Sequence, residues 1–125
     1  MKVVLMLLVL SSTAFADGKM LFSKNCKACH TIGGGDKIGP DLAGVNSRRK
    51  FAWIKKFVAY PDGMINGDEE EEGYEKPDAY AKKLFAAYKP TMMQEIEISD
   101  ADLKSILKFI KDQKKSPKGK ILKIK

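Results

Sequence analysis

Residues Cys26-Lys27-Ala28-Cys29-His30 decide how this chain is read. Both cysteines of the chain and its one histidine fall inside these five positions. Three chemistries compete for such a cluster. A Cys-x-x-Cys pair can be a redox disulfide, but no strand–helix pattern around it suggests a thioredoxin-like domain. It can open a zinc site, but zinc takes four protein ligands, or three and a water, and the chain has no further Cys or His. The third is covalent haem attachment, for which Cys-x-x-Cys-His is the signature. On one helical turn and its exit, this spacing offers two thiols to the two vinyl groups of one haem and sets His30 beneath the iron. The histidine and the want of any other ligand set favour haem.

Outward from this motif the chain reads as short helices. On the N-terminal side Asp17 is a good N-cap, and Leu21, Phe22 and Cys26 share one face of a helix from Gly18 to Lys27. On the other side Thr31 to Gly44 is a glycine-rich loop broken by Gly39-Pro40. Ser47 to Tyr60 is predicted as one amphipathic helix through Phe51, Ile54, Phe57 and Val58, ended by Pro61-Asp62-Gly63. Gly67 to Lys76 is an acidic loop, and the run from Asp68 to Glu72 reads as solvated surface. Pro77-Asp78 starts a helix with Leu84, Phe85 and Tyr88 inward, stopped by Lys89-Pro90. Ser99 and Asp102 form a Ser-x-x-Asp start for a last helix with Leu103, Ile106, Leu107 and Ile110 on one face. No segment alternates as a strand does. The expected fold is all-α, four or so short helices around one covalently bound haem. A core this small is marginal alone, and a large apolar cofactor would complete it.

The ends carry their own signals. Met1-Lys2, the apolar run Val3 to Leu10 and Ala14-Phe15-Ala16 have the layout of a signal peptide over residues 1–16, cleaved after Ala16. The alternative, an uncleaved membrane anchor, is weakened because the run is shorter than the ~20 residues that span a bilayer. A domain over 17–113 and a basic C-terminal tail over 114–125 follow. With 23 Lys and Arg against 16 Asp and Glu the chain carries +7; losing Lys2 leaves 22 against 16, or +6. For an exported protein this excess points to an acidic protein partner, since no nucleic-acid motif is present.

The sequence resembles class I c-type cytochromes across nearly the whole mature chain. Gly18, Phe22 and Cys26 at four-residue steps match the family's N-terminal helix, and Ile106 and Phe109 match the C-terminal helix that it crosses. Ile38-Gly39-Pro40-Asp41-Leu42 resembles the Gly-Pro-x-Leu segment after the haem motif. The resemblance implies one haem c on Cys26 and Cys29, with His30 as an axial ligand. It also implies that the Pro40 carbonyl accepts the His30 Nδ1–H and that Leu42 packs on the haem. A hydrogen bond at the far nitrogen orients an iron-bound imidazole. By the same resemblance the sixth ligand is expected to be a methionine before the last helix. Met93, six residues before Ser99, is the first choice, with Gln94 where proline is usual; Met92, Met64 or no ligand are the alternatives. Arg48 or Arg49 is a partner for a haem propionate, or else plain surface; Trp53 reads as core.

The implied function is single-electron shuttling between periplasmic or membrane-bound respiratory partners. An iron closed on both faces leaves no place for substrate, so no enzyme activity is expected, and neither nucleic acid nor stable membrane insertion after cleavage. The alternatives are a permanent cytochrome subunit of a larger oxidoreductase complex, marked by a large apolar patch, and a gas-binding or peroxidatic haem protein, should neither Met92 nor Met93 reach the iron.

Overall fold

A computed structural model describes residues 17–125, so the leader expected over residues 1–16 lies outside the described residues. Among the described residues there are helices and no strands, in the order α1 (Gly18–Asn25), α2 (Val45–Arg48), α3 (Phe51–Ala59), α4 (Pro61–Asn66), α5 (Ala79–Tyr88) and α6 (Asp100–Asp112), then a 3₁₀ turn over Lys120–Lys123. The all-α expectation is met, with more and shorter helices than predicted.

Helices α1, α5 and α6 start where a side chain replaces the missing backbone acceptor. The Asp17 carboxylate accepts the Lys19 N–H at 3.1 Å, that of Asp78 accepts the Ala81 N–H at 2.8 Å, and the Ser99 hydroxyl accepts the Asp102 N–H at 3.1 Å. Each satisfies one of the donors that a helix start leaves open. Asp100 and Asp102 also lie at the positive end of α6.

The helix predicted over Ser47 to Tyr60 is divided. Arg49 takes extended backbone at φ −137°, ψ 142°, and separates α2 from α3. Tyr60 breaks the chain again at φ −150°, ψ 77°. Pro61-Asp62-Gly63 follows the end of the preceding helix, as expected, and also begins α4. Proline at the first helical position loses no hydrogen bond, because that N–H has no acceptor in any case. The result buries Pro61, Gly63, Met64 and Ile65.

Helices α1 and α6 cross face to face. Phe22 and Phe109 place their ring centroids 5.8 Å apart, tilted by 49°, and Phe22, Ile106 and Ile110 form a buried cluster beneath them. Gly18 permits the crossing: a Cβ there would collide with the Ser105 carbonyl and lie 2.9 Å from Phe109 Cβ. Gly18→Val should therefore lower unfolding stability by about 1–3 kcal/mol, the usual cost of forced overpacking, measured by denaturant titration. A Gly18→Val protein as stable as the parent would show that the helices cross with room to spare.

The last segment departs from its reading as a tail apart from the domain. Residues 114–125 fold back on the body, where Ile121 is buried. The Lys118 N–H donates to Asp41 Oδ2 at 3.1 Å and the Lys120 N–H to Asp36 Oδ2 at 2.9 Å. Lys120 Nζ donates to the Ala87 carbonyl at 2.8 Å. The reason is physical: two carboxylates and an apolar socket outweigh the entropy of a free end.

Candidate functional site

The motif sits where α1 runs out. The Cys26 N–H still donates to the Phe22 carbonyl at 2.8 Å, and the His30 N–H to the Cys26 carbonyl at 3.0 Å, so the five residues form a turn continuing the helix. The loop that follows doubles back beside them: the Gly39 N–H reaches the Cys29 carbonyl at 2.7 Å, and the Leu42 N–H the Thr31 carbonyl at 2.9 Å. This return brings the Pro40 carbonyl to 2.8 Å from His30 Nδ1. A carbonyl can only accept, so Nδ1 carries the proton and Nε2 is left with a free lone pair. Burial holds the His30 imidazole below its ordinary pKa, and the Pro40 bond opposes that only in part, so the ring is neutral and able to ligate. Gly39 lies against the ring, since a Cβ on it would stand 2.9 Å from Nδ1.

The two thiols are free and half-buried. Burial, and then the neighbouring Cys29, push the Cys26 thiol up to about 11. A redox-active Cys-x-x-Cys runs the other way, towards a stabilised thiolate. Nor do three His, Cys, Asp or Glu side chains converge as an ion site among the described residues, which removes the zinc reading.

The structure separates the two arginines. Arg48 faces the loop and donates to the carbonyls of Ala43 and, at 3.0 Å, Asp41. Arg49 turns away on its extended backbone and stacks its guanidinium 3.2 Å from the Tyr80 ring centroid and 5.5 Å from that of Trp53. Trp53 packs in the core as expected, parallel to Phe57 with centroids 5.0 Å apart. Its indole Nε1 and the Arg49 Nε are nevertheless buried with no hydrogen-bond partner. Each such orphan costs about 1–3 kcal/mol. Two adjacent donors without an acceptor fit the carboxylate of a cofactor.

Around these groups the apolar residues form two clusters. Leu42 and Cys26 pack against Phe22, Ile106 and Ile110. Met92 and Met93 pack, half-buried, against Phe57, Met64, Ile65 and Ala81. Met64 is itself buried, at 5% exposure, inside that second cluster. The methionine-bearing segment and the histidine turn thus border different halves of the core. A large flat apolar group with carboxylate arms suits the residues present: two thiols and an imidazole on one half, thioethers on the other, and unpaired donors at Arg49 and Trp53.

Two residues of this neighbourhood escaped the sequence reading. Asp41 is fully buried and holds the loop from within, and Gly39 gives the histidine ring its clearance. An aspartate within a glycine-rich loop is a signal for side-chain-to-backbone bonding and would have found the first.

The chain is similar to known proteins over most of its described length. The family model described as cytochrome c matches residues 15–114. Among solved structures, cytochrome c from Rhodothermus marinus is 30% identical over 74% of this chain and 70% of its own, with a TM-score of 0.59. An engineered form of that protein is 29% identical over 74% and 70%, with a TM-score of 0.58. A cytochrome c domain from Pseudomonas putida is 25% identical over 78% and 87%, with a TM-score of 0.59.

Proposed function

Because the chain belongs to the cytochrome c family and therefore binds haem c covalently, we propose that it is a mono-haem carrier shuttling single electrons between redox proteins outside the cytoplasm. The observation that carries this reading is the commitment of His30 Nδ1 to the Pro40 carbonyl, which leaves Nε2 as a fixed, neutral donor beside Cys26 and Cys29. In this reading Cys26 and Cys29 would hold the haem through thioether bonds, and His30 and Met93 would ligate its iron. Arg49 and Trp53 would hold a propionate, while Arg48 braces the loop. When bound, the haem supplies a one-electron iron couple, which His and thioether ligands tune to high potential.

The chain's own residues do the rest. Leu42, Phe22 and Ile106 on one side and Phe57, Ile65 and Ala81 on the other exclude water, which limits the reorganisation accompanying a change of charge. With both His30 and Met93 committed to the iron, no position would remain for substrate, which favours a carrier over an enzyme. The leader over residues 1–16 delivers it to the periplasm, where it serves respiratory partners. Among the described residues no helix is long and apolar enough to cross a membrane. The donor and acceptor present acidic faces to the exposed lysines, Lys114, Lys115, Lys118 and Lys123 among them, and the encounter slows with salt.

Voltammetry and carbon monoxide together test this. The holoprotein should give a reversible one-electron wave, and its reduced form should not take up carbon monoxide at neutral pH. Rapid uptake would mean an open iron position and favour a gas-binding protein.

A further inference from the structure

Residues beyond 114 lie outside the family match, yet they are joined to the loop that presents Pro40. The joint is Asp41. Its side chain is 0% exposed, and its carboxylate accepts backbone N–H groups from Gly33 at 2.7 Å, Gly35 at 2.9 Å, Ala43 at 2.9 Å and Lys118 at 3.1 Å. Both oxygens are thus held, and one of the four donors comes from the C-terminal segment. A second joint lies alongside. The Asp36 carboxylate accepts the Tyr88 hydroxyl at 2.6 Å and the Lys120 N–H at 2.9 Å. Gly119, at φ 91°, meets Asp36 so closely that any side chain there would strike the carboxylate. Ile121, 4% exposed, plugs the segment into the body.

We propose that residues 117–121 are a clasp which, through Asp36 and Asp41, fixes the Pro40 carbonyl and so the orientation of the axial imidazole of His30. Asp41 is then a positioning residue for the ligand. The argument is geometric. The Pro40 carbonyl belongs to the peptide that joins Pro40 to Asp41, a planar unit. Its tilt is set by ψ of Pro40 and φ of Asp41; the proline ring locks only its own φ, so the anchored Asp41 side chain is what holds the peptide in place. Freed from the clasp, that peptide can rotate and release Nδ1–H.

This inference rests on His30 being the haem ligand, and the experiment keeps the two apart. The probe is hydrogen exchange of the His30 Nδ1 proton in the reduced holoprotein, followed by NMR, with the amides of α1 and α6 as internal controls. A chain ending at Ser116 and the full-length Asp41→Asn protein are compared with the parent. Asp41→Asn keeps the shape of the side chain but turns one acceptor into a donor. Both should exchange the Nδ1 proton about ten-fold faster, the factor expected for one weakened hydrogen bond, while α1 and α6 amides keep their rates. If the shortened chain does not fold, Asp41→Asn decides. Unchanged Nδ1 exchange, or acceleration matched by α1 and α6, would overturn the clasp, since it would then serve only general stability. A failed haem reading shows itself earlier, as a parent protein without haem absorbance.

Discussion

Exchanging both thiols, Cys26→Ser with Cys29→Ser, is expected to yield a protein that loses all haem on acid–acetone extraction and melts without a cooperative transition. The reason lies in the divided core. Phe22, Ile106 and Ile110 form one cluster and Phe57, Met64, Ile65 and Ala81 another, and the residues suited to a cofactor border both. Two small separate clusters give each other little support unless something packs between them. The haem supplies the missing apolar surface, and its covalent bonds stop it from dissociating when the fold opens. Each single cysteine variant should keep one bond and an intermediate melting temperature. The checks are absorbance after extraction and far-ultraviolet circular dichroism against temperature. A double variant that melts as sharply as the parent would show that the helices need no cofactor to pack.

Met93→Ala is expected to abolish the weak far-red band of iron(III)–thioether ligation and to lower the potential by on the order of a few tenths of a volt, part of the ~0.8 V range that axial ligands span. Met92→Ala should keep both. The two methionines are half-buried against the same cluster, so packing alone does not rank them. The ranking comes from spacing to the α6 cap, with Met93 six residues before Ser99. The segment between them is held by the Ile96 N–H on the Val58 carbonyl at 2.8 Å. The reverse pattern would make Met92 the ligand. Retention of the band in both variants would rule out thioether ligation from this segment.

What could be read from the sequence was local. The Cys26–His30 motif, the Ser99 cap with its Asp102 N–H, and the glycine face of α1 are each decided by residues within one or two helical turns of one another. What escaped was decided from far away. The C-terminal segment folds because Asp41 and Asp36 meet backbone donors 77 and 84 positions along the chain. No periodicity or composition signals such a pairing, and a lysine-rich end reads as solvated. Arg48 and Arg49 are neighbours of the same type. Only the extended backbone at Arg49 sends one guanidinium to the loop carbonyls and the other to Tyr80 and Trp53. The division of the predicted Ser47–Tyr60 helix has a similar origin. The extended backbone at Arg49 splits it into α2 and α3, and Pro61 both follows the end of α3 and starts α4.

The central claim is a single haem fixed to Cys26 and Cys29 and closed by His30 and a methionine. Its most direct test is the intact mass and the reduced-minus-oxidised spectrum of the exported wild-type protein, made with a cytochrome c maturation system and extracted with acid–acetone. The account predicts a polypeptide heavier by one haem after extraction, with the sharp visible bands of a low-spin c-type iron on reduction. A mass equal to that of the bare polypeptide, with all colour in the extract, would contradict it.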